Sequence, residues 1–227
     1  MKHFTQARVI LVTLLAHSAF ASTQEDANRF IDELLGQRLR QEAYRFQLDG
    51  VPLDDFKFKI KKELELGILP THRDIKANFT NGMLKGLTML RRKAGCNPTV
   101  YVENKVTLTC PLDVSNTEAT YTSFVKGFNI VGQVKEVGVK VKIIDTFVNF
   151  EIQEEQNQHP AVKTFHIDKL RTLVEMPDIG FNEERQSKFK EEVEKGVHPL
   201  IFNALTGKFL DALNSALRQN NVKLPPV

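Results

Sequence analysis

The sequence predicts an α+β domain in which a strongly curved antiparallel β-sheet wraps around a long amphipathic C-terminal helix, with a second helix near the N-terminus. The first observation is the last helix, residues 199–218, whose apolar side chains fill about half of its circumference at about 100° per residue. An ordinary surface helix needs an apolar stripe only about 100° wide, so this helix needs a partner that surrounds it. The second observation is a series of alternating apolar and polar segments between Phe56 and Ile167, which can form that sheet. This combination suggests a carrier of hydrophobic molecules.

The first 21 residues have the pattern of a secretory signal peptide. Lys2 and Arg8 precede an apolar run, and the segment ends in an A-x-A sequence at Ala21. A membrane anchor needs about 20 apolar residues, and this run is shorter. We therefore expect a signal peptide over residues 1–21, a single domain over residues 22–227, and a secreted, extracellular protein.

The composition of the remaining chain argues against some partners. Without Lys2 and Arg8, 29 basic residues (31 − 2) face 28 acidic ones, a net charge of +1 with histidine neutral. A nucleic-acid-binding protein has a strong basic excess, so no nucleic-acid partner is expected. The chain has 16 Phe and no Trp, and because Phe needs no polar partner when buried, this fits a large core or an apolar cavity.

The N-terminal part of the domain reads as a helix followed by two strands. Apolar residues recur at helical spacing over residues 26–46 and stop before Asp49 and Gly50. A strand with one solvent-facing side follows, in which Phe56, Phe58 and Ile60 alternate with lysines. A second alternating run, residues 75–83, contains the glycosylation sequon Asn78-Phe79-Thr80. Asn78 falls on its polar face, where a glycan can be accommodated.

The two cysteines, Cys96 and Cys110, are predicted to form a disulfide, because such a pair usually bonds outside the cell. If residues 102–104 form a three-residue hairpin loop with Asn104 in the left-handed conformation, Cys96 lies directly opposite Cys110. Two thiols alone make neither a zinc site nor a redox C-x-x-C motif.

The later strands show a change of phase. Phe124, Phe128 and Ile130 indicate one strand. In the next, apolar residues occupy odd positions up to Ile143 and even positions from Ile144 onward. A β-bulge there would keep both halves facing one side and bend a single long strand.

The C-terminal region predicts two helical segments that meet at Pro199. Residues 183–197 carry a narrow apolar stripe, Phe189, Val193 and Val197, and should be more exposed than the segment that follows. Pro199 can start a new helix or kink a continuous one.

Catalytic motifs are absent from the sequence. There is no nucleophile elbow, glycine-rich phosphate loop or H-E-x-x-H motif, so we expect no enzyme, cofactor or metal site. Two basic clusters remain, one formed by Lys57, Lys59, Lys61 and Lys62 and one by residues 91–93. Each is either a solvated surface or a patch for anionic lipid head groups.

The candidate ligand-lining residues are the apolar members of these patterns that should point inward if the sheet wraps the helix. They are Phe79, Met83, Phe124, Phe128, Val148, Phe150 and Phe165 from the strands, with Ile201, Leu205 and Phe209 from the helix.

Three segments resemble a known family. Residues 83–92 (MLKGLTMLRR), 144–152 (IDTFVNFEI) and 162–174 are similar to successive segments of the mite group 7 allergens. The resemblance runs from Val51 to the C-terminus. It implies the super-roll fold that those allergens share with the bactericidal/permeability-increasing protein and with juvenile-hormone-binding and takeout-like carriers, the TULIP-like group. That fold holds lipid in an apolar groove and has no catalytic motif.

Together these patterns predict a secreted carrier of a lipid, a fatty acid or another hydrophobic small molecule. One alternative is innate-immune recognition of bacterial lipid products through the basic strand. Another is an interaction protein whose interior is fully packed. The identity of the ligand and the oligomeric state stay open.

Overall fold

The computed structural model describes residues 22–61, 74–129, 131–219 and 221–227. The predicted signal peptide (residues 1–21), Lys62 and Ile130 lie outside the described residues.

The N-terminal helix consists of α1 (Gln24–Glu33), a π-helical turn (Leu34–Arg38) and α2 (Leu39–Phe46). It begins at a capping box, in which the backbone N–H of Asp26 donates to Oγ1 of Thr23 and the N–H of Thr23 donates to the Asp26 carboxylate, both at 3.1 Å. It ends where Gln47 adopts the left-handed conformation, with φ 58°. The predicted helix is confirmed.

The C-terminal helix consists of α3 (Glu183–Ala204), a second π-helical turn (Leu205–Phe209) and α4 (Leu210–Leu217). It continues through Pro199, and its first half is more exposed than its second, as the sequence predicts. Its buried residues recur every four positions between residues 189 and 209. Because an α-helix repeats every 3.6 residues, this stripe winds around the helix. One helix can therefore face two different sheets along its length.

The strands form two antiparallel sheets that together make the curved wall around this helix. In chain order they are β1 (Val51–Leu53), β2 (Phe56–Ile60), β3 (Ile75–Lys85), β4 (Arg91–Arg92), β5 (Val100–Val102), β6 (Lys105–Asp113), β7 (Glu118–Lys126), β8 (Val134–Ile143), β9 (Phe147–Glu155), β10 (Ala161–Ile167) and β11 (Thr172–Glu175). Sheet A has the order β1-β3-β7-β8-β11, with β2 also paired to β3. Sheet B has the order β10-β9-β6-β4, with β5 also paired to β6.

The predicted bulge at Ile143–Ile144 is wrong, because the chain changes sheets there instead of bending one strand. Asp145 adopts a positive φ of 42°, and β8 of sheet A gives way to β9 of sheet B. Ile143 and Val148 are nevertheless both fully buried, so the two halves still face one core.

Hydrogen bonds to Thr146 hold the two sheets together where the chain passes from one sheet to the other. The Thr146 side chain is buried; it donates to the carbonyl of Ile144 at 2.9 Å and accepts from the N–H of Arg171 at 3.0 Å. The carbonyl of Thr146 accepts from the N–H of Val114 at 3.2 Å. The connections β6–β7, β8–β9 and β10–β11, each of which joins one sheet to the other, thus meet at Thr146. Their hydrogen bonds to Thr146 fix the angle between the sheets.

The Cys96–Cys110 disulfide is confirmed, but the predicted three-residue loop is wrong. Val102 pairs with Lys105 across a two-residue turn at residues 103–104, where φ is 49° and 64°. Positive φ at both central residues defines a type I′ turn. Between β5 and the disulfide, the pairing of this segment with β6 shifts by one residue, since the N–H of Asn97 donates to the carbonyl of Thr109. This shift brings the cysteines opposite each other.

Candidate functional site

The interior between the C-terminal helix and the sheets is the candidate site. α3 contacts β1, β2 and β11 of sheet A, whereas α4 contacts β10 of sheet B and the N-terminal helix α2. The interior therefore has a sheet A half and a sheet B half, which one helix joins.

The sheet A half is filled by an aromatic cluster around Phe79. Its ring stacks on Phe56 with centroids 4.3 Å apart and planes 4° apart, and it lies 5.5 Å from the ring of Phe58. Phe189 of the helix lies 5.2 Å from Phe58 and 6.2 Å from Phe79. Tyr121 closes the cluster edge-on. These spacings are those of direct aromatic contact.

The helix approaches this half closely. A Cβ atom added at Gly196 would lie 2.4 Å from Cε2 of Phe56, a distance that real Cβ contacts do not reach. An alanine where α3 crosses β2 would force the helix or the Phe56 ring to move. Farther along, Thr172 of β11 and Nε2 of His198 are hydrogen-bonded at 2.8 Å. Burial lowers the pKa of His198, against a smaller opposing effect of Glu194.

The sheet B half is less tightly closed. Phe209 of the helix and Phe165 of β10 have ring centroids 6.0 Å apart in a tilted arrangement. Gly207, in the π-helical turn that contains Phe209, is partly exposed, and a Cβ added there would meet no atom within 4 Å. The backbone N–H of Val162 donates to Asn214 at 2.9 Å, which ties β10 to α4.

Strand β10, at one end of sheet B, forms the less buried edge of this half of the interior. Val162, Phe165 and Ile167 pack against the core but are only half-buried. Phe165 lies beside Phe209 of the helix, which is fully buried.

Six of the predicted lining residues are fully buried within one continuous core: Phe79, Val148, Phe150, Ile201, Leu205 and Phe209. Phe165 is half-buried, as is Phe128 in the bend after β7. Phe165 and the six buried residues agree with the inward orientation that the sequence predicts. Phe128 does not continue the predicted strand, because β7 ends at Lys126, and it is not among the residues packed against the core. Whether they line a cavity or a packed core stays a prediction.

Met83 and Phe124 do not point inward; they lie on the outer face of sheet A, 37% and 39% exposed. In β3 the register shifts between Thr80 and Met83 around Asn81, which has φ 57°. The alternation changes phase there, and Leu84 takes the buried position. In β7 the odd-numbered residues face the core, so Phe124 faces outward opposite Asn78.

Sequence reasoning left out Phe56, Phe58, Phe189 and Tyr121 as lining residues, although they surround Phe79. Their alternating and helical spacing marked the first three as core. Tyr121 carried no such signal, because its strand was assigned from Phe124. The Tyr121 hydroxyl donates to the carbonyl of Asp54 at 3.2 Å, and burial raises its pKa.

The two predicted basic clusters differ in the structure. Lys57, Lys59 and Lys61 are exposed on the outer face of β2 and just after it. Arg92 instead makes a bidentate pair with Asp32 of the N-terminal helix at 2.7 and 2.8 Å. This pairing raises the pKa of Arg92, so that arginine serves to attach the helix to β4.

Within the described parts of the chain, no group of three or more His, Cys, Asp and Glu side chains is arranged to hold a metal ion. None of the described helices is long and apolar enough to cross a membrane.

Comparison with known proteins finds a similar sequence and similar structures, and no family model matches the chain. The sequence is 28% identical over 225 residues to salivary anticoagulant protein P23 of Ixodes scapularis, covering 96% of this chain and 98% of that protein. The structure is similar to that of Takeout 1 from Epiphyas postvittana, with a TM-score of 0.40, 13% identity, and 82% and 91% of the two chains covered.

A second solved structure, that of lipopolysaccharide binding protein, matches with a TM-score of 0.48 and 9% identity over 88% of this chain. The chain spans only 39% of that protein's chain. The arrangement expected from the sequence, a curved antiparallel wall around a long C-terminal helix with a helix near the N-terminus, is the one observed. The narrower resemblance to the mite group 7 allergens stays a prediction.

Proposed function

We propose that the protein is a secreted carrier for an apolar ligand, a lipid, a fatty acid or another hydrophobic small molecule, held between the sheets and the C-terminal helix. The observation that carries this proposal is the sheet B half of the interior. Leu205 and Phe209 are fully buried there, on a π-helical turn of the C-terminal helix. They lie beside the half-buried apolar residues of β10. π-helical turns are frequent at functional sites.

Secretion is part of this proposal. It is supported by the leader pattern of residues 1–21 and by the disulfide, since disulfides persist in oxidising compartments. The salivary relative is consistent with it. Asn78 of the glycosylation sequon is exposed on the outer face of sheet A. A mass decrease after treatment of the secreted protein with an N-glycosidase, absent in Asn78→Gln, would show that it carries an N-linked glycan.

Displacement of a fluorescent apolar dye tests the carrier function. We expect the protein to bind the dye and long-chain fatty acids to displace it at a one-to-one ratio. A protein with a fully packed interior would bind no dye. Selective displacement by anionic lipid A-like molecules, lost when Lys57 and Lys61 become Gln, would instead favour recognition of bacterial lipids.

The Phe209→Trp variant localises the binding. The chain has no other Trp, so its emission reports on this position alone. A ring accommodated by free space should leave stability unchanged and shift its emission when a fatty acid is added. Overpacking of a filled core typically costs about 1–3 kcal/mol, and an emission that ignores every lipid tested would reject the proposed site.

A second candidate function is that of an extracellular interaction protein acting on blood clotting. The match to the salivary anticoagulant protein, over nearly the full length of both chains, favours it. A plasma clotting time that lengthens with the added protein would support this function. An unchanged clotting time at saturating protein would reject it and would leave the carrier proposal untouched.

A further inference from the structure

Three lysines stand side by side on the outer face of sheet A. Lys59 of β2 pairs with Lys76 of β3, and Lys76 pairs with Lys126 of β7. All three are exposed. We call Lys59, Lys76 and Lys126 the lysine row. Only Lys59 belonged to the basic strand seen in the sequence, because the other two are brought beside it by strand pairing.

The lysine row is poorly neutralised. Lys59 lies 2.8 Å from the Asp74 carboxylate. Neither Lys76 nor Lys126 forms an ion pair with any residue in the described part of the chain. Like charges directly opposite each other across strands destabilise a sheet. A partner that supplies negative charge along the row would remove this repulsion.

Exposed apolar side chains border the lysine row at the β7 end. Val134 of β8 pairs with Lys126 and is 50% exposed, and Val131, in the connection before it, is 78% exposed. The described backbone beside Val131 is hydrogen-bonded, since Asn129 accepts from the N–H of Gly132 at 2.9 Å and Arg185 donates to the carbonyl of Gly127 at 2.9 Å. Exposed apolar side chains therefore stand next to exposed positive charge.

We propose that this end of sheet A docks onto the surface of an anionic lipid bilayer. Lysines near such a surface are attracted to its negatively charged head groups, and exposed apolar side chains gain by entering the boundary between head groups and acyl chains. A sulfated polysaccharide would satisfy the lysine row but would give Val131 and Val134 no favourable environment. The inference goes beyond the carrier function, because it holds whether or not the interior contains a ligand.

Co-sedimentation with vesicles tests the docking surface. The secreted protein should bind vesicles of phosphatidylcholine and phosphatidylserine, and not vesicles of phosphatidylcholine alone. Because a glycan at Asn78 would stand two residues from Lys76 on the same face, Asn78→Gln should bind at least as well as wild type. Changing all three residues of the lysine row to Gln should weaken binding roughly tenfold or more, and added salt should weaken wild-type binding. The control variant Lys85→Gln/Lys163→Gln/Lys169→Gln removes the same charge at exposed positions elsewhere and should bind nearly as wild type.

The apolar border separates a bilayer from other polyanions. Val131→Ser/Val134→Ser should weaken vesicle binding several-fold while leaving retention on a heparin column unchanged. Retention on heparin without vesicle binding would overturn the proposal in favour of a sulfated polysaccharide. Equal vesicle binding by the lysine-row variant and its control would also overturn it. Because every substituted side chain is exposed, circular dichroism should show all variants folded.

Discussion

The two halves of the interior differ most clearly at two glycines of the same helix. A methyl group at Gly196 would overlap the ring of Phe56 in the sheet A half, whereas one at the partly exposed Gly207, beside the sheet B half, would meet nothing within 4 Å. The sheet A half has several aromatic rings in mutual contact, and among the described residues the sheet B half has the pair Phe165 and Phe209. Close aromatic packing stabilises the first half, and the second has fewer aromatic contacts and a half-buried strand, β10, at its edge. The ligand is therefore expected in the sheet B half.

The largest expected effect on stability comes from removing one aromatic ring from each half of the interior. Phe79→Ala should destabilise the protein by about 3–5 kcal/mol, because a fully buried ring leaves a cavity that its neighbours cannot fill. Phe165→Ala should cost less than half as much, since Phe165 is half-buried, and it should weaken dye binding. Urea denaturation of both variants measures the difference. Equal losses of stability would remove the distinction between the halves.

The disulfide should stabilise the sheet B half by about 3 kcal/mol, as expected for a closed loop of about 15 residues. Its reduction should increase hydrogen exchange in β5 and β6 and at the start of α1, where the Gln24 side chain donates to the carbonyl of Cys96. Exchange in sheet A should change little. A uniform increase over both sheets would show that the halves unfold as one unit, and free thiols in the secreted protein would contradict the bond itself.

Alanine substitutions at Gly196 and Gly207 should change the stability of the protein in opposite directions. Gly196→Ala should cost about 1–3 kcal/mol, because the helix or the Phe56 ring must move. Gly207→Ala should stabilise the protein by about 0.5–1 kcal/mol, since it restricts the unfolded chain and meets no steric barrier. Thermal unfolding of the two variants measures both effects. A loss of stability at Gly207 as large as that at Gly196 would show that the helix is as closely packed at Gly207 as at Gly196.

The smallest effect concerns His198, which joins the helix to β11 in the sheet A half. Burial lowers its pKa in the folded state, so the folded protein binds the proton less well than the unfolded chain does. The stability associated with neutral His198 is present above the unfolded pKa of about 6.5 and is lost as the pH falls below it. His198→Gln should therefore lose less stability than wild type between pH 7.5 and 5. Parallel pH profiles of the melting temperature would contradict this role.

Much of the fold follows from sequence periodicity. The apolar spacing of residues 26–46 and 199–218 identifies the two helices, and alternation identifies strands such as β2 and the inward-facing Phe79. Alternation fixes which face a side chain takes but not which strand it pairs with. The division into two sheets therefore could not be derived, because it depends on a single left-handed residue, Asp145, and on tertiary hydrogen bonds to Thr146.

The candidate site shows the same limit. Asn81 reverses the phase of β3 and moves Met83 to the outer face. The pair Asn81-Gly82 is a sequence signal for such a bulge, and it was missed because Met83 was assigned by extending the alternation from Phe79. The lysine row could not be read from the sequence, because Lys59, Lys76 and Lys126 become neighbours only through strand pairing.

Native mass spectrometry of the protein purified from its own source tests the central claim most directly. The carrier function predicts a non-covalent complex whose mass exceeds that of the polypeptide and any glycan by one small apolar molecule, which is released on denaturation. Phe165→Ala, produced in the same host, should retain less of it. A single species with the mass of the polypeptide and any glycan alone, unchanged after incubation with long-chain fatty acids, would contradict the claim and favour a fully packed interaction protein.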